Sequence, residues 1–195
     1  YSSIKFINKS VRIIKLCEWD CPYYDNFGPS RPIKASRINN IIKLKKYIRN
    51  NNKFIVITTI KCLLQRLQDI EIYEERKVQV NENVTYSNFL EYIERIGYEK
   101  VDNVIEVGTY TNRGGIIDLF SPNYTYPIRL DFFGDNVESI RYFDFQSQKT
   151  IKNVSSVNIH PFSEIYLFED NVNNFRRSYI HNFKRKDKDF IYESI

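Results

Sequence analysis

The 195-residue chain has no methionine, a single tryptophan, six glycines, six prolines and three cysteines. Cys17, Cys21 and Cys62 are odd in number, only His160 and His181 are available to complete a metal set, and no Cys-x-x-Cys spacing occurs. A disulfide scaffold or zinc site is therefore not expected, and reduced, mostly buried thiols of a cytoplasmic protein are. A catalytic thiol would need a neighbouring base, which the sequence does not identify. No apolar run approaches the ~20 residues that span a bilayer, and no secretory signal is recognisable. A phosphate loop needs glycines upstream of its Lys-Ser or Lys-Thr, and neither Lys9-Ser10 nor Lys149-Thr150 has them. Asp118, Asp131, Asp135 and Glu138 lie close in sequence, but carboxylates of strands and turns are usually solvated, and no metal-ligand spacing joins them. Catalysis within this stretch, a bound cofactor and a metal are not expected. A chain without methionine is expected to be an internal segment of a longer one.

The formal net charge is +5, and clustered cations would suggest nucleic acid. The charges are mixed along most of the chain, however. Lys43, Lys45 and Lys46 fall on one helical segment, and Lys184-Arg-Lys-Asp-Lys188 is the one dense basic run. The wealth of Asn, Lys, Ile and Tyr matches an AT-rich coding sequence, so charge alone is weak evidence for DNA binding. A solvated surface or a frayed end is the better reading of the 184–188 run.

Periodicity gives an α/β beginning. A strand is expected over Val11–Leu16, a loop over residues 17–31, and a helix over Pro32–Arg49 carrying Ile38, Ile41, Ile42, Leu44 and Ile48, ended by Asn50-Asn-Asn52. Phe54–Thr58 is a β-branched run suited to a strand buried on both faces of a parallel sheet, followed by a short helix over Ile60–Leu67. The segment from Glu71 to Val80 reads as an extended edge strand. Thr85 is placed to cap a helix whose stripe is Tyr86, Phe89, Leu90, Ile93 and Ile96, with Gly97 closing it. Short β-runs follow from Val101 to Ile159, and a further helix is expected over Glu169–Phe183. The expected organisation is a partial open α/β layer over residues 1–71, a small α+β domain with a mostly antiparallel sheet over 72–161, and the start of another region over 162–195.

The clearest strand is Ile128–Phe133. Alternation sets Ile128, Leu130 and Phe132 on one face and Arg129, Asp131 and Phe133 on the other. Gly134-Asp135 is a tight turn that returns the chain through Val137–Phe143. An arginine, a carboxylate and an aromatic ring on one row suit a surface that receives a partner. Spacing leaves open whether another element covers Phe133, and Arg129 beside Asp131 reads as a solvated pair. Arg113 before Gly114-Gly115 reads, from spacing alone, as the end of a loop whose glycines serve the turn.

Several of these stretches together carry a resemblance to a family. Trp19-Asp-Cys-Pro-Tyr-Tyr-Asp25 with Pro29-Ser-Arg31 and Arg37, Ile57-Thr-Thr59 through Leu63-Leu-Gln-Arg66, and Arg113 to Thr150 with Phe143-Asp144 and Gln148 resemble the UvrB-like module of transcription-repair coupling factors. The chain departs from that pattern at Pro22-Tyr23, Gly28 and Ser121, all in loops. The resemblance implies a P-loop-like α/β layer of the UvrB type, then an α+β domain that binds UvrA through Arg113, Arg129 and Phe133. It also implies a bacterial, cytoplasmic parent that is an ATP-dependent double-stranded DNA translocase, using ATP and magnesium and acting on stalled RNA polymerase, with its motor outside this stretch. Two alternatives remain at this point: a UvrB-type damage-recognition protein, and a stand-alone basic nucleic-acid-binding domain.

Overall fold

The computed structural model describes residues 11–22, 28–65, 67–165 and 169–183. They form two compact units that divide between Glu164 and Ile165. The second contains a helix over Glu169–Phe183, as the periodicity predicts. The basic run 184–188 lies outside the described residues.

In the first unit, β1 (Arg12–Leu16) leads to α1 (Arg31–Arg49), β2 (Phe54–Thr58) and the short α2 (Ile60–Leu64). β1 and β2 pair in parallel, Arg12 opposite Phe54 through Leu16 opposite Thr58. Pro32 suits the first turn of α1, where its missing N–H is no loss. Ile38, Ile41, Ile42 and Lys45 recur at helical spacing and are all buried. Asn50 caps the end, and Asn51 turns the chain with φ 51°.

Two expectations fail here for physical reasons. Ile55 and Val56 of β2 are 40% and 38% exposed, because β2 is one edge of a two-stranded sheet rather than an interior strand. Lys45 lies on the buried stripe of α1, and its Nζ donates to Glu71 O at 2.6 Å and Tyr73 O at 3.2 Å. Those carbonyls belong to the segment expected to be one extended strand, which instead begins with a single helical turn, Ile70–Ile72. Asp69 holds that turn by accepting from Glu71 N at 3.0 Å.

The α+β part follows. β3 (Arg76–Gln79) pairs antiparallel with the distant β10 (Ser156–Ile159). Between them come α3 (Tyr86–Arg95) and the six-stranded sheet β4 (Glu99–Lys100), β5 (Thr109–Arg113), β6 (Ile116–Leu119), β7 (Ile128–Phe133), β8 (Asn136–Phe143) and β9 (Thr150–Val154), ordered as in sequence. All of its pairings are antiparallel except β4 with β5. The apolar stripe of α3 buries Phe89, Ile93 and Ile96, and one face of the sheet buries Ile117, Leu119, Ile128, Leu130, Phe132 and Ile140. Rings join the two layers: Phe132 lies 5.3 Å from Tyr86 edge-on and 5.7 Å from Phe89.

The ends of α3 explain its boundaries. Gly97 N bonds Glu94 O and Tyr98 N bonds Ile93 O, the paired closure that a left-handed glycine permits. At the start, Thr85 stands at the cap position without a side-chain bond. The cap comes from the hairpin instead: Asp135 Oδ1 accepts from Tyr86 N at 2.9 Å, worth about 1 kcal/mol.

His160 fastens the two parts of this unit. Its ring nitrogens meet Asn39 Oδ1 of α1 at 2.9 Å and Glu75 Oε2 at 3.0 Å, while Asn39 Nδ2 donates to Pro122 O at 2.6 Å. A second ring proton would satisfy both oxygens, but burial outweighs that gain and pulls the imidazole below its ordinary value of 6.5. Unfolded chains therefore bind more protons than folded ones between 6.5 and the lowered value, so stability falls as pH drops through that window. Glu75 extends the loss at lower pH. Partial burial opposes its charge, yet hydrogen bonds from Lys46 and His160 hold its pKa below 4.5, so the stability it contributes disappears as it protonates. Urea unfolding at pH 7.5 and 5.5 is expected to show a lower midpoint at the acid pH. The His160→Gln variant should show a smaller difference, and an equal difference in both proteins would refute the assignment.

Candidate functional site

The outer face of the antiparallel sheet is polar, in contrast to its inner face. In the β-ladder, Asp118 of β6 stands opposite Arg129 of β7, which stands opposite Arg141 of β8. Arg129 forms a two-pronged pair with Asp118, Nε to Oδ1 at 2.6 Å and Nη2 to Oδ2 at 2.7 Å. Nη2 also donates to Gln148 Oε1 at 2.9 Å, and the guanidinium lies 4.4 Å above the centre of the buried Phe143 ring. The Asp118 hydrogen bond raises the Arg129 pKa above its ordinary value, against the opposing effect of burial. The fork of Arg129 is thus filled within the chain, and its plane is fixed by stacking on Phe143.

Arg129 and Asp131 do not form the solvated pair expected from their spacing. Asp131 accepts instead from Arg141 Nη2 at 3.1 Å and from the Ser139 hydroxyl. The reason is register: residues two apart on one strand point the same way but are separated along it, whereas cross-strand neighbours meet. Sequence spacing could not show this, because it does not give the pairing partners.

Phe133 is the open member of the row. It is 80% exposed, opposite Asn136 at the end of the β7–β8 hairpin. Gly134 has φ 60° at the first central position of the two-residue turn, where glycine suits a tight hairpin. The ladder shifts register after Asp131, yet the alternation survives, with Phe132 at 8% exposure on the core side and Phe133 outside.

Arg113 ends β5, opposite Ile116 of β6, which is opposite Asp131 of β7. Its exposed side chain donates from Nη2 to Asp102 O at 2.5 Å and to Asn103 Oδ1 at 3.0 Å. The glycines after it have two separate duties. Gly114 turns the chain with φ 59°, and its carbonyl accepts from the Tyr86 hydroxyl at 2.8 Å. Gly115 lies against β7: its carbonyl accepts from Phe132 N at 2.8 Å, and a Cβ there would stand 2.6 Å from Phe132 O. The turn after Arg113, the tip carrying Phe133 and the N-terminus of α3, capped by Asp135, are thereby built as one end of the domain.

Arg113 at the end of β5 and Arg129 and Phe133 on β7 accordingly lie on a single sheet with β6 between the two strands, Arg129 standing further along β7 from the tip than Phe133. Ile116, 38% exposed, lies between Arg113 and Asp131 in the ladder. It was not singled out by sequence, since nothing in a β-branched strand residue distinguishes it from core. Among the described residues, no group of three or more His, Cys, Asp or Glu is placed to hold a metal ion, and no helix is long and apolar enough to cross a membrane.

Residues 77–178, just over half of the 195, match the family described as the UvrB interaction domain. The chain belongs to that family. The UvrB interaction domain here comprises β3 through β10 with α3 and reaches into the second unit. Beyond it, the chain is similar over most of its length to proteins named transcription-repair-coupling factor. The Haemophilus influenzae protein is 31% identical over 182 residues, 91% of this chain and 16% of that protein. The Escherichia coli protein is 28% identical over 186 residues, 94% of this chain and 16% of that one. The Rickettsia typhi protein is 27% identical over 203 residues, covering 100% of this chain and 17% of the relative. The chain thus spans a small fraction of the length of these relatives.

Proposed function

We propose that this chain is the UvrB-like module of a transcription-repair coupling factor and recruits UvrA through the outer face of its six-stranded sheet, at Arg113, Arg129 and Phe133. The observation that carries the reading is Phe133. A phenylalanine 80% exposed at a hairpin tip, in a domain of the UvrB interaction family, has no folding role in its own chain and is suited to burial against a partner. An aromatic anchor beside arginines is the composition of a binding hot spot.

The same reading extends to the rest of the chain. Residues 1–71 are part of a P-loop-like α/β layer, residues 72–161 the UvrA-binding domain, and residues 162–195 the opening of the next region. The parallel β1–β2 pair joined through α1, and the apolar Ile60, Leu63 and Leu64 exposed on α2, are in keeping with one edge of such a layer. The parent is a cytoplasmic ATP-dependent translocase on double-stranded DNA that acts at stalled RNA polymerase, with ATP and magnesium bound in its motor.

Calorimetric titration of the chain with UvrA tests the recruiting surface. Phe133→Ala is expected to weaken binding by about 1–2 kcal/mol, roughly tenfold, with an unchanged circular dichroism spectrum and urea midpoint. Equal affinity of the two folded proteins would remove Phe133 from the site, and no binding by either would remove the recruiting function.

A further inference from the structure

The pairing of β4 with β5 comes apart before β5 ends. Glu99 N donates to Gly108 O at 3.0 Å and Val101 N to Tyr110 O at 2.9 Å, and the ladder stops at Lys100 opposite Tyr110. On its other side, β5 stays paired with β6 through Asn112 opposite Ile117 and Arg113 opposite Ile116. Backbone groups of successive strand residues point to alternate sides. Thr109 O accepts from Phe120 N on the β6 side, and Tyr110 O from Val101 N on the β4 side. Asn112 follows Tyr110 by two residues, so its N–H and C=O point to the β4 side, where no described backbone group bonds them.

An open groove of about 450 Å³ occupies that place, lined by Lys100, Val101, Asp102, Thr111, Asn112 and Arg113. Asn112 Oδ1 is buried beside it with no hydrogen-bond partner. Arg113 links the two walls by its bonds to Asp102 O and Asn103 Oδ1. A strand edge with an unmade main-chain pair is a template for another strand. Two cations, Lys100 and Arg113, against one carboxylate, Asp102, favour an acidic guest.

We propose that an extended acidic segment of the partner adds as a short strand to the edge of β5 at Asn112, between Lys100 and Arg113. This rests on the UvrA-recruiting reading and gives it a main-chain contact next to its side-chain one. Arg113 then acts at the groove as well as at the tip, while Phe133 supplies apolar area two strands away.

The test uses a substitution that removes the edge N–H alone. Asn112→Pro leaves the β6-facing bonds of Thr111 and Arg113 in place, and proline is tolerated on an edge strand with its nitrogen outward, after an extended residue. UvrA affinity is expected to fall about tenfold for Asn112→Pro and to stay within about threefold for Asn112→Ala, which keeps the amide. Independently, exchange of the Asn112 amide should slow by about tenfold or more in the UvrA complex, and that measurement decides if Asn112→Pro does not fold. Unchanged affinity of folded Asn112→Pro, or unchanged Asn112 exchange, overturns the added strand. If Phe133→Ala weakens binding in the same series, the recruiting surface survives that failure. If Phe133→Ala also binds as the parent does, the recruiting reading falls with it.

Discussion

Arg37→Ala is expected to cost about 3–5 kcal/mol of folding stability, the range for breaking a buried ion pair from one side. Arg37 is wholly buried and the Glu164 side chain is 7% exposed. The guanidinium donates from Nε to Glu164 Oε1 at 2.5 Å, from Nη2 to Oε2 at 2.8 Å, and from Nη1 to Cys17 O and the Cys62 thiol. Burial opposes its charge, but the Glu164 carboxylate more than offsets this and raises its pKa above the ordinary value. Alanine would leave that carboxylate buried with little beyond the Trp19 indole, at 3.3 Å, to answer its charge. It would also strip a carbonyl of its donor and open a cavity the size of the lost side chain. Glu164 is gripped through its backbone as well, by the Tyr73 hydroxyl at 2.7 Å. Burial, followed by the Glu164 charge, pushes the Tyr73 phenol up to about 12.

Urea unfolding followed by circular dichroism checks the cost. Replacing both partners, Arg37→Met with Glu164→Leu, should recover a large part of it, because two apolar groups need no partners. A loss under about 1 kcal/mol in Arg37→Ala would mean that the pair is solvated in solution.

This network also shows where sequence reasoning stops. The helix bearing Arg37 is legible, since Ile38, Ile41 and Ile42 mark its inner stripe. Its partner lies 127 positions away, beyond the reach of any local pattern. The same limit applies to Lys45, whose partners are the carbonyls of Glu71 and Tyr73. The β7–β8 hairpin was legible because alternation and a Gly-Asp turn are local signals, and so was the closure of α3 at Gly97. The cap of α3 was not, because its carboxylate comes from Asp135, 49 residues away, while Thr85 offered the right side chain at the right place. In the candidate site, periodicity sorted Arg129 and Phe133 onto one face. It could not show that Arg129 is already held, which changes what that residue is able to do.

For Arg129→Ala, two losses are expected together. Asp118 is 8% exposed and would lose both prongs of its pair, at a cost of about 2–3 kcal/mol to folding, between the surface and fully buried cases. Phe143 would lose the cation above its ring, adding about 1 kcal/mol. UvrA binding is expected to weaken by about 2 kcal/mol or more, since the arginine orders the face that Phe133 extends. A single variant cannot separate binding from folding, but a second can. Asp118→Asn combined with Arg129→Ala leaves no buried charge, so at least about 1 kcal/mol of stability should return. Affinity for UvrA, measured by calorimetry on the folded proteins, should not return with it if Arg129 itself meets the partner. If affinity recovers in step with stability, Arg129 holds the sheet together and the contact belongs to Arg113 and Phe133. Arg129→Lys adds a third reading: it keeps the charge and loses the fork, so binding carried by charge alone would persist while the Asp118 pair weakens.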